Sequence, residues 1–149
     1  MKKEWVVVAD GSMAKILKPE NYSLIHVFPT YHANEMVTTL DEDPRRFGRV
    51  HSHGLIRHAS PHEDYEDREK KEFIKKISDI ISDNLAQYDC LIIIAPAKRL
   101  KEIQTYLTAA AKEKVTHKIS KDLVKAPLEE IYKYVVKLPY PKHQNESGL

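Results

Sequence analysis

Residues 5–18 read WVVVADGSMAKILK, and this stretch decides the fold. Trp5 to Ala9 form a continuous apolar and largely β-branched run, which predicts a strand buried on both faces. The Asp10-Gly11 dipeptide that follows is a strong hairpin signal, because glycine adopts positive φ without steric cost. Residues 12–18 then return as the partner strand. The chain is therefore expected to open with an antiparallel hairpin.

The next segments extend this hairpin. Residues 23–28 predict a third strand, on which Leu24, His26 and Phe28 share one face. The opening is thus an antiparallel meander. Residues 31–40 fit either a short helix or an extension of the sheet, and the sequence leaves both open.

The second half of the chain alternates helical and strand patterns. Apolar residues at helical spacing predict a helix over 66–87, namely Phe73, Ile74, Ile77, Ile80, Ile81 and Leu85. Residues 90–95 are a second apolar run, and helical spacing resumes over 100–111. A short strand is expected at 115–119. Pro127 suits the first turn of a last helix that continues to Val135.

A meander followed by strand–helix–strand–helix predicts an α/β fold with a mixed sheet and helices packed on it. The apolar strands 5–9 and 90–95 should lie centrally, since they lack polar alternation. The chain has 149 residues, about one domain. We expect a single domain over residues 1–138, with a long loop at 41–65, and a flexible polar tail at 139–149.

Composition excludes several classes of protein. Hydrophobic content of 42% and charged content of 31% are typical of a globular domain rather than a disordered chain. Net charge is only +2, so a polyanionic partner would have to be bound by a local patch. The lone Cys90 cannot form an internal disulfide, and the first apolar run is too short for export. No run suits membrane insertion. These features predict a cytoplasmic protein.

The loop at 41–65 reads DEDPRRFGRVHSHGLIRHASPHEDY and carries four of the six arginines and half of the eight histidines. Loops of this length in compact domains are usually functional or disordered. Arginine grips phosphate bidentately, and histidine adds hydrogen bonds. The predicted nucleic-acid or phosphate-binding residues are Arg45, Arg46, Arg49, His51, His53, Arg57 and His58. Acidic residues flank the loop and would neutralise it if they paired with its arginines: Asp41, Glu42, Asp43, Glu63, Asp64, Glu66 and Asp67.

Two alternatives concern catalysis and metals. His51 and His53, with His58 or His62, could ligate zinc, but no recognised ligand spacing is present. Asp10 would be a catalytic carboxylate only if other acids converged on it, so a turn-forming role is the better interpretation. We therefore predict no metal and no cofactor, and the sequence favours a protein without enzymatic activity while leaving that question open.

Several motifs carry a resemblance to a known family. They are WVVVADGSMAKIL, the Asp43-Pro44 and Gly48-Arg49 pairs, Phe73 on its helix, Ala95-Pro96, and Lys121-Asp122-Leu123. Over residues 4–137 the chain resembles the bacterial family labelled host attachment protein. That family is similar in fold to the middle domain of archaeal and eukaryotic peptide-chain release factors, a ribonuclease H-like α/β domain. The resemblance implies this fold and a connection to translation.

The resemblance does not extend to release activity. The chain contains no Gly-Gly-Gln, the motif with which release factors act, and it has no room for their decoding domain. Ala97-Lys98-Arg99 also replaces a glycine-rich helix start associated with the attachment family. Three functions compete: a non-enzymatic binding module that contacts RNA, the ribosome or a protein partner through the loop; an attachment or stress-associated interaction protein without nucleic-acid binding; and a hydrolase or nuclease that uses the loop histidines. The oligomeric state is left open.

Overall fold

The computed structural model describes residues 2–36 and 61–139, with the side chains of residues 61–64 left out. The described part contains one mixed sheet, with the strands β1 (Glu4–Ala9), β2 (Met13–Glu20), β3 (Ser23–His26), β4 (Tyr31–His32), β5 (Cys90–Ala95) and β6 (Val115–Ser120). Their order in the sheet is β3-β2-β1-β5-β6, and β4 pairs with the beginning of β2.

The two apolar runs form the centre of the sheet, as the sequence predicts. β1 pairs antiparallel with β2 on one side and parallel with β5 on the other, and β5 pairs parallel with β6. Every residue of β5 is buried, and so are the last five residues of β1. Strands covered on both faces need apolar residues at successive positions, which these runs supply.

The meander differs from the prediction in its details. Ala9 is paired with Ala14, so the two turn residues are Gly11 and Ser12 rather than Asp10 and Gly11. Gly11 does not have positive φ. The Lys70 side chain packs over it, and a Cβ at this position would lie 2.7 Å from Cδ of Lys70, so any larger residue would require that side chain to move. Positive φ occurs in the next hairpin, at Asn21 (53°) and Tyr22 (61°).

Two further assignments in this region are corrected or resolved. β3 ends at His26, and the chain then bends, so Leu24 and Phe28 pack on opposite faces of the sheet. The ambiguity at 31–40 is resolved in part, because Tyr31–His32 is a strand and residues 33–36 are helical.

The long helix begins earlier than predicted. α1 spans Pro61–Asp83, and a short 3-10 helix, Leu85–Gln87, follows it. Residues 61–65 therefore belong to a helix rather than to the predicted loop. Proline is favoured at the first helical position, and acidic residues favour the first turn because of the helix dipole. Pro61, Glu63 and Asp64 are such signals, and the apolar stripe that begins at Phe73 does not reach them.

The helix predicted over 100–111 is two helices, α2 (Ala97–Tyr106) and α3 (Ala109–Glu113). The backbone is extended at Leu107 and Thr108, and the Thr108 hydroxyl accepts a hydrogen bond from the Ala111 N–H at 3.3 Å. A threonine N-cap of this kind starts a new helix. The last helix, α4 (Leu128–Val136), begins directly after Pro127, which occupies the N-cap position without a side-chain hydrogen bond.

The two faces of the sheet are covered unequally. α1, α2 and α3 pack on one face against Trp5, Val7, Ile16, Leu91 and Ile93, together with the chain around Phe28 and Met36. The other face is covered by α4 and the chain that leads into it, which bury Val6, Val8, Leu17, Leu24, Ile92 and Ile94. The charged residues that matter below lie around α1 and α2.

Candidate functional site

The carboxyl ends of the three parallel strands meet at one edge of the sheet, here named the carboxyl edge. It consists of Asp10 to Ser12 after β1, Pro96 to Arg99 after β5, and Lys121 after β6. Open α/β sheets bind their ligands at this edge. It is therefore the first place to search for a site.

Asp10 occupies the carboxyl edge as a turn former. Its Oδ1 accepts hydrogen bonds from the N–H groups of Ser12 at 2.7 Å and Met13 at 2.8 Å. Its own N–H donates to the Met13 carbonyl at 2.9 Å. These contacts confirm the predicted structural role of Asp10.

The described parts of the chain that flank residues 37–60 both approach the carboxyl edge. On one side, the Ala33 N–H donates to the Ser12 carbonyl at 2.7 Å. On the other, the side chain of Lys70 in α1 covers Gly11. The predicted site residues between these points, Arg45, Arg46, Arg49, His51, His53, Arg57 and His58, lie outside the described residues. His62 belongs to α1, but its side chain is also outside them.

A cluster of four charged residues joins α1 to the first turns of α2. Asp67 Oδ1 accepts hydrogen bonds from Lys98 Nζ at 2.7 Å and from an Arg99 guanidinium nitrogen at 3.0 Å. A second nitrogen of Arg99 donates to Glu102 Oε1 at 2.7 Å. Arg99 is only 8% exposed, and the two carboxylates compensate its buried positive charge. We name this group the Asp67 cluster.

The Asp67 cluster is internally neutral, with two cations and two anions. Hydrogen bonds from Lys98 and Arg99 lower the pKa of Asp67 to about 2. Its carboxylate is therefore ionised throughout the ordinary pH range and committed to α2. Asp67 is one of the acids expected to neutralise the loop arginines, and the structure instead pairs it with Lys98 and Arg99.

At the opposite end of the strands, a groove of about 340 Å³ lies around Trp5 and Val27. Its charged lining is Lys2, Lys3, Lys18, Glu4 and Glu20. Lys3 is engaged through its ammonium, which donates to the Ala86 carbonyl at 3.0 Å. With cations and anions mixed along its walls, this groove shows no preference for a ligand of either charge.

The other reactive or titratable side chains considered among the described residues have structural roles. They contain no group of three histidine, cysteine, aspartate or glutamate side chains placed to hold a metal ion. Cys90 is buried in β5. Burial raises the pKa of Tyr88 to about 12, and its hydroxyl donates to the Ile81 carbonyl at 2.8 Å. None of the helices in the ranges 2–36 and 61–139 is both long enough and apolar enough to cross a bilayer.

Sequence reasoning misses the Asp67 cluster. The spacing of Arg99 and Glu102 is a readable signal, because residues three apart on a helix are neighbours. The position of Asp67 carries no such signal, since it lies 32 residues before Arg99 and meets it only through the packing of α1 against α2.

Comparison with known proteins agrees with this architecture. A family model described as "protein required for attachment to host cells" matches residues 5–135. Among solved structures, an archaeal translation termination factor is similar to the chain with a TM-score of 0.51 and 12% sequence identity, over 91% of the chain. The chain spans 38% of that protein's length, and a likeness at this identity shows the fold alone. No curated protein matches. Both resemblances expected from the sequence are confirmed, and the chain belongs to the family of proteins required for attachment to host cells.

Proposed function

We propose that this protein is a non-enzymatic, cytoplasmic binding module that contacts RNA or the ribosome through the arginines and histidines of residues 41–60. One observation carries this proposal, namely the position of the described chain on either side of residues 37–60. Both described flanks of residues 37–60 approach the carboxyl edge, where α/β sheets bind their ligands. The residues proposed to bind phosphate are Arg45, Arg46, Arg49, His51, His53, Arg57 and His58.

The electrostatics of the described flank support this proposal. Asp67, one of the acids that flank the loop, is already paired with Lys98 and Arg99 within the Asp67 cluster. It is therefore not available to offset the arginines of residues 41–60 without releasing a buried guanidinium, which is costly. Asp67 is therefore not one of the acids that would weaken phosphate binding by these arginines.

The fold likeness to an archaeal translation termination factor is compatible with a translation partner but carries no function by itself, because one fold serves many functions. The proposal therefore rests on the chemistry of phosphate binding, and the test must detect phosphate contacts directly.

The test measures binding of a fluorescein-labelled single-stranded RNA by anisotropy at several salt concentrations. Neutralising phosphates releases counterions, so the logarithm of the affinity should fall with the logarithm of salt, by about 0.7 for each phosphate contact on a single strand. Replacing Arg45, Arg46 and Arg49 together with alanine should lower that slope by about 2. A binding curve of the triple variant identical to that of the wild type would refute the assignment of these residues.

A second candidate function follows from family membership. The family is described as required for attachment to host cells. The corresponding alternative is an interaction protein that binds a protein partner and no nucleic acid. Pull-down from native lysate with and without ribonuclease separates the two. Partners that disappear after ribonuclease treatment support the RNA proposal, whereas partners that remain, together with RNA binding too weak to measure, support attachment through protein.

A further inference from the structure

The groove around Trp5 and Val27 lies on the same face of the sheet as the core beneath α1. Trp5 belongs to that core, and so does Ile16, which precedes Lys18 and Glu20 by two and four residues on β2. Because side chains two apart on a strand share a face, Lys18 and Glu20 line the groove from β2. Both side chains are about half exposed, so the described helices leave this end of the face open.

The wall of the groove formed by residues 2–5 is fixed to the chain that leads into β5. The Lys3 carbonyl accepts hydrogen bonds from the N–H groups of Asp89 at 2.7 Å and Cys90 at 3.0 Å. The Lys3 N–H donates to Asp89 Oδ2 at 2.9 Å, and this hydrogen bond lowers the pKa of the Asp89 carboxyl. The wall is therefore formed before a ligand binds, and binding requires little ordering of it.

Two polar groups of the groove lack a hydrogen-bond partner. Trp5 is 2% exposed, and within the ranges 2–36 and 61–139 its indole N–H donates to no oxygen or nitrogen. Its ring contacts Phe28 and Tyr88, but an aromatic face is at best a weak acceptor. The side-chain amide of Gln87, on the same lining, also makes no hydrogen bond to a described residue. A buried N–H without an acceptor is rare and costly, so a ligand with an acceptor would stabilise this site.

The turn between β2 and β3 presents an exposed aromatic side chain two residues beyond Glu20. Asn21 and Tyr22 have φ of 53° and 61°, the conformation of a tight hairpin turn that favours glycine at its second position. Tyr22 is 92% exposed, so packing of its ring does not offset the strain of its backbone. Strain of this kind is concentrated at positions that bind ligands. The ring of Tyr22 is thus available to a partner.

β3 adds an exposed apolar side chain to the same face. Ile25 is paired with Lys18, and paired residues of neighbouring strands lie on one face of a sheet. Tyrosine and other large side chains supply most of the energy of protein interfaces. We name the groove, together with Tyr22 and Ile25, the hairpin groove.

The charges of the hairpin groove favour a peptide over a nucleic acid or a membrane. Lys18 has Glu20 beside it, with 3.9 Å between Nζ and Oε1, and Glu4 is a second carboxylate of the lining. These carboxylates would repel the phosphates of RNA and of an anionic membrane. A peptide instead offers backbone carbonyls to the indole of Trp5 and both a donor and an acceptor to the amide of Gln87. Its side chains of either charge would find a partner on the lining.

We propose that the hairpin groove binds an extended peptide segment of a protein partner, with a peptide carbonyl accepting a hydrogen bond from the Trp5 indole N–H. Its volume of about 340 Å³ is near the lower end of the range for ligand sites, roughly 300–1,000 Å³, and suits a short segment. The inference goes beyond the proposed function, because it concerns the opposite end of the strands and another class of ligand. Its failure would leave RNA binding by residues 41–60 untouched.

The test uses Trp5 as its own reporter. Trp5 is the single tryptophan of the chain, so its indole N–H gives one signal in a heteronuclear NMR spectrum of the whole protein. An array of short peptides of random sequence is screened, and the peptide bound most strongly is synthesised and titrated. The indole hydrogen should shift downfield as it gains an acceptor. Peptide binding without a change in this signal would overturn the inference, and so would an array on which no peptide binds.

Two variants of the turn separate binding from stability. Tyr22→Gly should weaken binding of that peptide roughly 10-fold, because an anchor of the interface is lost. It should also raise the melting temperature by about 2–4 °C, because glycine relieves the positive φ. Asn21→Gly is the matched control at the neighbouring position and should change the affinity by less than about 2-fold. Equal affinities of the two variants would contradict the proposal.

A second matched pair concerns the amide. Gln87→Ala should weaken peptide binding roughly 5-fold through the loss of neutral hydrogen bonds, whereas Gln104→Ala, on α2 and outside the groove, should not. Equal affinities of these two variants would remove the amide from the site and overturn the proposed mode of binding. A single-stranded RNA that shifts the Trp5 signal and displaces the peptide would identify a nucleic acid as the occupant and refute the peptide inference.

Discussion

The two sides of α2 differ in whether their positively charged side chains are paired with carboxylates. On the flank beside α1, Arg99 is 8% exposed and is held by the carboxylates of Asp67 and Glu102. On the opposite side of the helix, Lys101 is exposed and has no ion pair in the described residues. Arg99 and Lys101 are thus only two residues apart on one helix, yet Arg99 is a structural cation and Lys101 remains available to a ligand. The difference teaches that charge in a sequence indicates function only after its partners are known.

The largest effect is expected from removing the structural cation. Arg99→Ala leaves Asp67 and Glu102 without their shared partner and removes buried contacts of the side chain. Breaking a buried ion pair by truncating one member costs roughly 3 kcal/mol or more, and the partial exposure of Asp67 places the expected loss at about 2 kcal/mol. Urea unfolding measures it. Lys101→Ala is the control, and an equal loss in both variants would erase the distinction between the flanks.

A smaller loss is expected from weakening one contact of the same cluster. Glu102→Gln keeps the shape of the side chain but replaces a charge-assisted hydrogen bond with a neutral one. Since Glu102 is 11% exposed, the expected loss is about 1 kcal/mol in the free energy of unfolding. An unchanged urea midpoint would show that Asp67 alone is sufficient to hold Arg99.

The paired flank should also respond to acid. The pKa of Asp67 is lowered to about 2 in the folded protein from an ordinary value of 3.8. A carboxylate with a depressed folded pKa stabilises the protein above its unfolded pKa, and this contribution is lost as pH falls from about 4 toward about 2. Unfolding followed by circular dichroism at pH values across this range should show a shallower acid dependence in Asp67→Asn. The Asp10→Asn variant provides a comparison at another carboxylate.

The smallest effect on stability is expected from replacing two exposed lysines. Combined Lys101→Gln and Lys118→Gln should change the free energy of unfolding by no more than about 0.5 kcal/mol, because exposed side chains without partners contribute little. A large drop in melting temperature would show that these lysines stabilise the fold, as Arg99 does.

The sequence predicts the fold better than it predicts the site. The apolar runs at 5–9 and 90–95 identify the central strands because burial on both faces leaves a pattern that needs no partner to be recognised. The start of α1 is placed five residues too late, since the apolar stripe stops at Phe73 and only Pro61 and the following acids mark the first turn. The break at Thr108 is missed because Leu107 before it and Ala110 and Ala111 after it continue the helical spacing.

By itself, the sequence determined the types of the main elements, the mixed α/β class, the family and the uneven distribution of charge along the chain. Periodicity and composition are local properties, and these conclusions follow from them. Only the tertiary structure decided which charges are neutralised. Asp67 meets Lys98 and Arg99 across 31 and 32 residues because α1 packs against α2, while Lys101 has no ion pair among the described residues. Long-range pairing depends on helix packing and register, which local patterns do not specify.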